Sequence, residues 1–253
     1  MTAAPPTTLA DLALLVPVQR RPPLPAPVRA PVRRRVSAAL LLVASLLGAV
    51  PASPPPAPAP VRAYFLGDSL MSGTGSEPRR PVLARVAARE LGWDVEVDAW
   101  GGTGFTTTGR SPGYLERLRL PGALAGRYDV VLVEGGTNDA RVGSPPDAVR
   151  AAVHEVVAEV RRRQPQARVV LVGAYDPPGV HDLRRAVADA AVRDAARDLG
   201  LPFTSPLSGR WHADQDPAVF LSPDGLHPDE DGYAVLGARL AQDLAALLPA
   251  RAR

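Results

Sequence analysis

The five residues Asp129–Val133, "DVVLV", constrain the fold more than any other stretch of the chain. After the aspartate, no polar residue alternates with the apolar ones, as it would in a strand with one solvated face. A strand that reads this way is buried on both sides, the condition inside a parallel sheet covered by helices above and below. Four further segments have strand character: Arg62–Leu66, Asp94–Asp98, Arg168–Val172 and, more weakly, Pro202–Thr204. Helical periodicity fills the intervals. Val149, Val153, Val156, Val157 and Val160 share one helix face. Leu183, Val187, Ala191, Ala195 and Leu199 make an i+4 row, and Tyr233, Leu236, Leu240, Leu244 and Leu247 make a similar one. Strands alternating with helices predict an α/β domain over residues 62–250, a three-layer α/β/α sandwich with a five-stranded, mostly parallel sheet. That length is ample for one large core.

The N-terminal quarter reads differently. Residues 1–61 hold 14 of the 29 prolines, six arginines and a single acidic residue, Asp11. The remainder carries 23 basic against 25 acidic residues, so the net charge of +3 belongs to the leader. This removes the main support for nucleic acid as a partner. The chain has no cysteine, which excludes disulfides, thiolate nucleophiles and Cys-ligated metals. Residues 1–36 read as a disordered basic, Pro-rich region. In residues 37–52, an apolar run follows Arg33, Arg34 and Arg35 and ends at Val50-Pro51-Ala52. About 14 helical residues span only ~21 Å against a ~30 Å hydrocarbon core. A signal-peptide h-region fits that length, with an uncleaved membrane anchor as the rival reading. Either places the protein outside the cytoplasm, secreted or held at the outer face of the cytoplasmic membrane. Residues 53–61 read as a stiff Pro-rich linker.

In a parallel α/β sheet, ligands bind beyond the carboxyl ends of the strands. Residues with chemical potential collect there: Ser69 after the first strand, Gly104 after the second, Asn138 after the third, and Asp224 and His227 before the last helix. A serine hydroxyl attacks only when a base removes its proton. Of the four histidines, His154 lies within a helix and reads as a surface or satisfied residue. His181 stands at a helix start, and His212 sits beside Trp211 in a loop, where a structural role is favoured. His227 is different. In "SPDGLHPDEDGY", Pro228 disfavours a helical conformation at His227 and suits the first turn of the following helix. A tight turn at Gly225 would let Asp224 fold back onto the imidazole, orienting it as the acid does in a serine triad. A helix-entry turn built from Asp, Gly and Pro is the plain alternative. For the oxyanion, "GGTGFTTTG" offers the backbone N–H of Gly104, and "EGGTNDA" offers the side-chain amide of Asn138. Each of these segments also reads as an ordinary strand-end turn.

Taken together, "GDSL" at Gly67–Leu70, "GGTGFTT" around Gly104, "GTND" at Gly136–Asp139 and "DGLHP" at Asp224–Pro228 resemble the four blocks of the SGNH/GDSL hydrolases, in the family's order. The resemblance covers about Arg62 to Leu248 and implies a flavodoxin-like sheet. It implies Ser69 as nucleophile, His227 as general base and Asp224 as its orienting acid. The oxyanion hole it implies comprises the Ser69 N–H, the Gly104 N–H and the Asn138 side chain. Asp68 and Asp139 are expected to brace their loops. No metal or organic cofactor is implied, and the partner is a small-molecule or glycan ester. Short acyl or acetyl esters are favoured over lipids, because no long apolar insertion offers a lid. Phe105, Tyr175 and Trp211 read equally as pocket walls or as core. An acyltransferase with the same site, a lysophospholipase or lipase, and a non-catalytic exported binding module remain alternatives.

Overall fold

The computed structural model describes residues 59–80, 82–108 and 111–249. The N-terminal basic region, the apolar segment 37–52 and most of the linker lie outside the described residues. Among the described residues, no helix is long and apolar enough to cross a membrane.

Among the described residues, five strands and eight helices follow in order: β1 (Arg62–Gly67), α1 (Ser69–Ser72), α2 (Val82–Leu91), β2 (Asp94–Ala99), α3 (Tyr114–Arg119), β3 (Val130–Glu134), α4 (Thr137–Arg141), α5 (Pro146–Arg163), β4 (Arg168–Val172), α6 (Leu183–Leu199), β5 (Phe203–Thr204), α7 (Pro217–Phe220) and α8 (Glu230–Leu247). The strands lie in the order β2-β1-β3-β4-β5, and every pairing is parallel. All five expected strands are present, within a residue or two at each end.

Successive strand side chains point to opposite faces of a sheet, and two cores follow from this. Ala63, Phe65, Val130, Leu132, Val170 and Val172 face α2 and α8, meeting Leu83, Val86, Leu236, Leu240 and Leu244. Tyr64, Leu66, Val131, Val133, Val169 and Leu171 face the other way, towards Tyr114, Leu118, the α5 valines, Val192 and Ala195. The result is the three-layer sandwich, with "VVLV" of β3 buried on both sides as its composition requires.

The i+4 row expected to bury α6 is only half right. Leu183 and Val187 are exposed, and the buried apolar residues are Ala188, Ala191, Val192, Ala195 and Ala196. An i+4 step advances about 40° beyond a full turn at 3.6 residues per turn, so a four-step row winds off any fixed face. The small alanines pack α6 against the core, and Leu183 and Val187 lie on the opposite side of the helix.

Candidate active site

β1 ends at Gly67 and the chain turns at once into the single turn α1. Asp68 caps that turn: its Oδ1 accepts the N–H of Leu70 at 2.8 Å. Gly73 closes it in the left-handed conformation, φ 74°. Ser69 is thereby fixed as the first residue of the turn, with its hydroxyl facing the segment before α8.

That segment is folded as a compact loop. Leu221 and Pro228 form an isolated antiparallel bridge, and the N–H of Ser222 reaches the His227 carbonyl at 2.9 Å. Gly225 takes φ 68°, which lets the chain reverse. Asp224 then folds back. Its Oδ1 accepts the backbone N–H of Leu226 and of His227, each at 2.8 Å, and the Ser222 hydroxyl at 2.9 Å. Its Oδ2 lies 2.7 Å from His227 Nδ1, and His227 Nε2 lies 2.9 Å from Ser69 Oγ. Partial burial opposes ionisation of Asp224, but the hydrogen bonds from His227, Leu226 and Ser222 overcome it and hold the carboxyl well below the usual carboxylate range. A carboxylate at Nδ1 favours the tautomer that carries its proton there, which leaves the lone pair of Nε2 able to face the serine.

The histidine has a backing. A methyl group on Gly75 would stand 3.0 Å from His227 Cβ and 2.6 Å from the Pro228 carbonyl, so the loop after α1 is packed directly on the histidine loop. Tyr233, at the start of α8, ties the two together by donating its hydroxyl to the Thr74 carbonyl at 2.7 Å. The helix itself begins at Glu230, with Asp229 as its cap, so Pro228 lies just before the first turn rather than in it.

Asn138 lies in α4 and is nearly buried. Its Nδ2 donates to Asp68 Oδ2 at 2.9 Å and to the Thr103 carbonyl at 3.0 Å, and its Oδ1 accepts from Arg141 Nε at 3.3 Å. The "GDSL", "GTGF" and "GTND" segments therefore meet at one amide. Asp139 braces, as expected: it accepts the backbone N–H groups of Phe105 and Thr106 and the hydroxyls of Thr106 and Thr107.

Gly104 is placed differently from its expected role. Its N–H is donated to the Thr107 carbonyl at 3.0 Å, and its missing side chain makes room for the Asp139 carboxylate, 2.6 Å from where a Cβ would be. The glycine that lies against the nucleophile is Gly101, whose Cβ would stand 3.6 Å from Ser69 Cβ. Because three glycines occur within four residues, spacing alone did not separate the glycine facing the serine from the one facing the brace.

Behind the serine lies a buried polar layer that sequence reasoning missed. Arg117 is fully buried and donates to the Gly67 carbonyl, Thr103 Oγ1 and the Asp98 carbonyl. Its Nε stands 3.3 Å from Asp98 Oδ1, an ion pair without hydrogen-bond alignment. Tyr64 donates its hydroxyl to Asp98 Oδ2 at 2.8 Å. Glu134, at the end of β3, accepts the N–H of Asp68 at 3.2 Å while its Oε1 is unpartnered. Burial raises the carboxyl of Glu134 well above its ordinary range and pushes Asp68 up to about 6. The polar residue ending an otherwise apolar β3 was the available signal for Glu134; nothing in "YLERLRL" marks Arg117.

The other histidines stay apart from Ser69. His154 pairs with Asp198 on the surface at 3.2 Å, and His181 is exposed just before α6. His212 is buried, stacked on Phe220 with ring centroids 5.6 Å apart, and burial lowers its pKa. Phe105, Tyr175 and Trp211 are all core residues. Phe105 packs edge-on against Tyr114, and Trp211 Nε1 donates to Asp243 at 3.0 Å.

A parallel sheet between two helical layers, with a serine, an imidazole and a carboxylate in series at its carboxyl rim, is an arrangement that can support serine hydrolase chemistry. The model of the GDSL-like lipase/acylhydrolase family matches residues 65–235, and the chain belongs to that family. By that membership it is a carboxylic ester hydrolase. Solved structures at low identity share its fold. One is a carbohydrate esterase family 2 enzyme with a carbohydrate-binding domain from Corynascus thermopiles (Myceliophthora fergusii): 22% identity, TM-score 0.61, over 77% of this chain and 68% of that one. Another is a lipase/acylhydrolase from Enterococcus faecalis, at 21% identity and TM-score 0.57, over 76% of this chain and 100% of that one. A third is the salicylyl-acyltransferase SsfX3 from a tetracycline biosynthetic pathway, at 19% identity and TM-score 0.59, over 77% of this chain and 57% of that one. No curated protein matches the chain.

Proposed function

We propose that the protein is a serine esterase that hydrolyses short acyl or acetyl esters, including esters on carbohydrate, through an acyl-serine intermediate. The observation that carries this reading is the serial contact Ser69 Oγ to His227 Nε2 at 2.9 Å and His227 Nδ1 to Asp224 Oδ2 at 2.7 Å. As Ser69 Oγ bonds to the ester carbonyl carbon, its proton passes to His227 Nε2, and Asp224 stabilises the imidazolium that forms. Collapse of the tetrahedral intermediate expels the alkoxide, which takes that proton and leaves as alcohol. Water then repeats the sequence on the acyl-serine, releasing the acid and restoring Ser69.

The donors proposed for the oxyanion are the Ser69 N–H, the Asn138 amide and the N–H of Gly101 in place of that of Gly104. Neither the Ser69 nor the Gly101 N–H is committed to another backbone carbonyl among the described residues, whereas that of Gly104 is. Asn138 would share with the substrate oxygen the proton it now directs at the Thr103 carbonyl. The carbohydrate-esterase neighbour supports a sugar-borne ester, and the acyltransferase neighbour supports a second reading in which an alcohol replaces water in the deacylation step. The arginine cluster and apolar segment of residues 33–52 support export or anchoring at the outer face of the cytoplasmic membrane.

The test is hydrolysis of 4-nitrophenyl acetate, butyrate and a long-chain ester by the full chain and by Ser69→Ala. The expected result is activity on the short esters that the variant loses by three orders of magnitude or more. Equal rates for the two proteins on every ester would overturn the proposal. Adding an acceptor alcohol and weighing its ester against free acid separates hydrolysis from transfer.

A further inference from the structure

Two arginines flank the serine with no acid to answer them. Arg79 is exposed on the loop after α1. One guanidinium nitrogen bonds Thr74 Oγ1 and stands 3.9 Å from the point where a Cβ on Gly101 would be, the same point that lies 3.6 Å from Ser69 Cβ. Arg141, exposed at the end of α4, places its Nε 3.3 Å from the side-chain oxygen of Asn138. One guanidinium thus borders each of the two segments proposed to hold the oxyanion.

Ion pairing varies among the other arginines: Arg85, Arg89 and Arg127 have no acidic partner among the described residues, while others are paired. Arg80 meets Glu230, Arg117 meets Asp98, Arg150 meets Asp198 and Arg185 meets Asp176. Arg79 and Arg141 form no ion pair among the described residues. The carboxylates nearest the serine are already spent. Asp224 holds the histidine loop, Asp139 takes four donors from Phe105, Thr106 and Thr107, and Asp68 binds Leu70 and Asn138. Beside the serine, two exposed positive charges are therefore each held by one neutral acceptor and balanced by no carboxylate.

We infer that the ester cleaved at Ser69 carries a carboxylate, which Arg79 and Arg141 receive beside the scissile carbonyl. A planar guanidinium matches a carboxylate in shape and donates two parallel hydrogen bonds to it. The inference rests on the esterase reading and narrows its substrate class to acidic esters. It names Arg79 and Arg141 as specificity-determining residues rather than as participants in bond cleavage.

The experiment compares matched pairs that differ only in charge. On the acyl side, mono-4-nitrophenyl succinate is set against its neutral methyl diester. On the alcohol side, an O-acetylated methyl glucuronoside is set against its methyl ester, with acetate release as the readout. The expected result is a preference of about tenfold or more in kcat/KM for the acid member of at least one pair, shrinking as salt is added. That ratio should fall towards one in the Arg79→Gln, Arg141→Gln double variant. Hydrolysis of the neutral members with no preference for either acid overturns this inference and leaves the esterase standing. A preference that persists in the double variant overturns it too. Hydrolysis of none of the four compounds overturns the esterase reading, and this inference with it.

Discussion

Replacing Gly104 and Gly101 by alanine, one at a time, separates a glycine that permits folding from a glycine that permits chemistry. At Gly104 the new methyl would stand 2.6 Å and 2.8 Å from the two Asp139 oxygens and 2.9 Å from its Cγ. Contacts that close force a shift, and Asp139 cannot shift without loosening its bonds to Phe105, Thr106 and Thr107. Overpacking costs about 1–3 kcal/mol, and weakening hydrogen bonds to a buried carboxylate adds about 1–2 kcal/mol more, so Gly104→Ala should lose about 2–5 kcal/mol of stability. At Gly101 the methyl meets Ser69 Cβ at 3.6 Å, an ordinary contact. Gly101→Ala should therefore unfold within about 0.5 kcal/mol of the parent. Its methyl would occupy the approach to the serine, and kcat/KM on a 4-nitrophenyl ester should fall at least about tenfold. Urea unfolding at neutral pH and initial rates on 4-nitrophenyl acetate measure both quantities. A Gly104→Ala protein as stable as the parent but inactive, beside a fully active Gly101→Ala protein, would refute the reasoning and return the oxyanion role to Gly104.

Arg117→Met should cost about 3–5 kcal/mol, because it strands the Gly67 carbonyl, Thr103 and the Asp98 carboxylate around a buried site. A urea midpoint within error of the parent would show that this layer contributes little. Asp68 has its native carboxyl pushed up to about 6 from 3.8, chiefly by burial. The folded state then holds the proton more tightly than the unfolded state. The stability this adds is full below about 3.8 and is lost as pH rises through about 6. Relative to Asp68→Asn, the parent should gain stability between pH 7.5 and pH 4.5; a parallel trend in the two proteins would count against the shift.

Much of the architecture was legible because its causes are local. A run such as "VVLV" can satisfy its side chains only between two helical layers, so β3 and its parallel neighbours were readable from the chain. The Asp224–His227 pair was readable for a similar reason. The two residues are three apart, Gly225 allows the reversal and Pro228 keeps His227 out of the helix, so a few backbone angles bring carboxylate and ring together. The strand-end positions of Ser69 and Asn138 follow from the Gly and Asx residues that stop the strands.

Other features depended on distance in the sequence. The choice between Gly101 and Gly104 rests on where Asp139 arrives from far along the chain, since Gly101 lies against the serine and Gly104 against the brace. Arg117 gains its meaning only when β1 and β2 bring Gly67 and Asp98 beneath it. The sequence determined the elements, the order of the motifs and the turn that carries the histidine, since these follow from backbone preference and the side-chain period within a few residues. Only the tertiary structure decided which N–H groups are spent, which carboxyls burial raises and which arginines are left unpaired, because hydrogen bonding and desolvation depend on neighbours that the chain brings together from far apart.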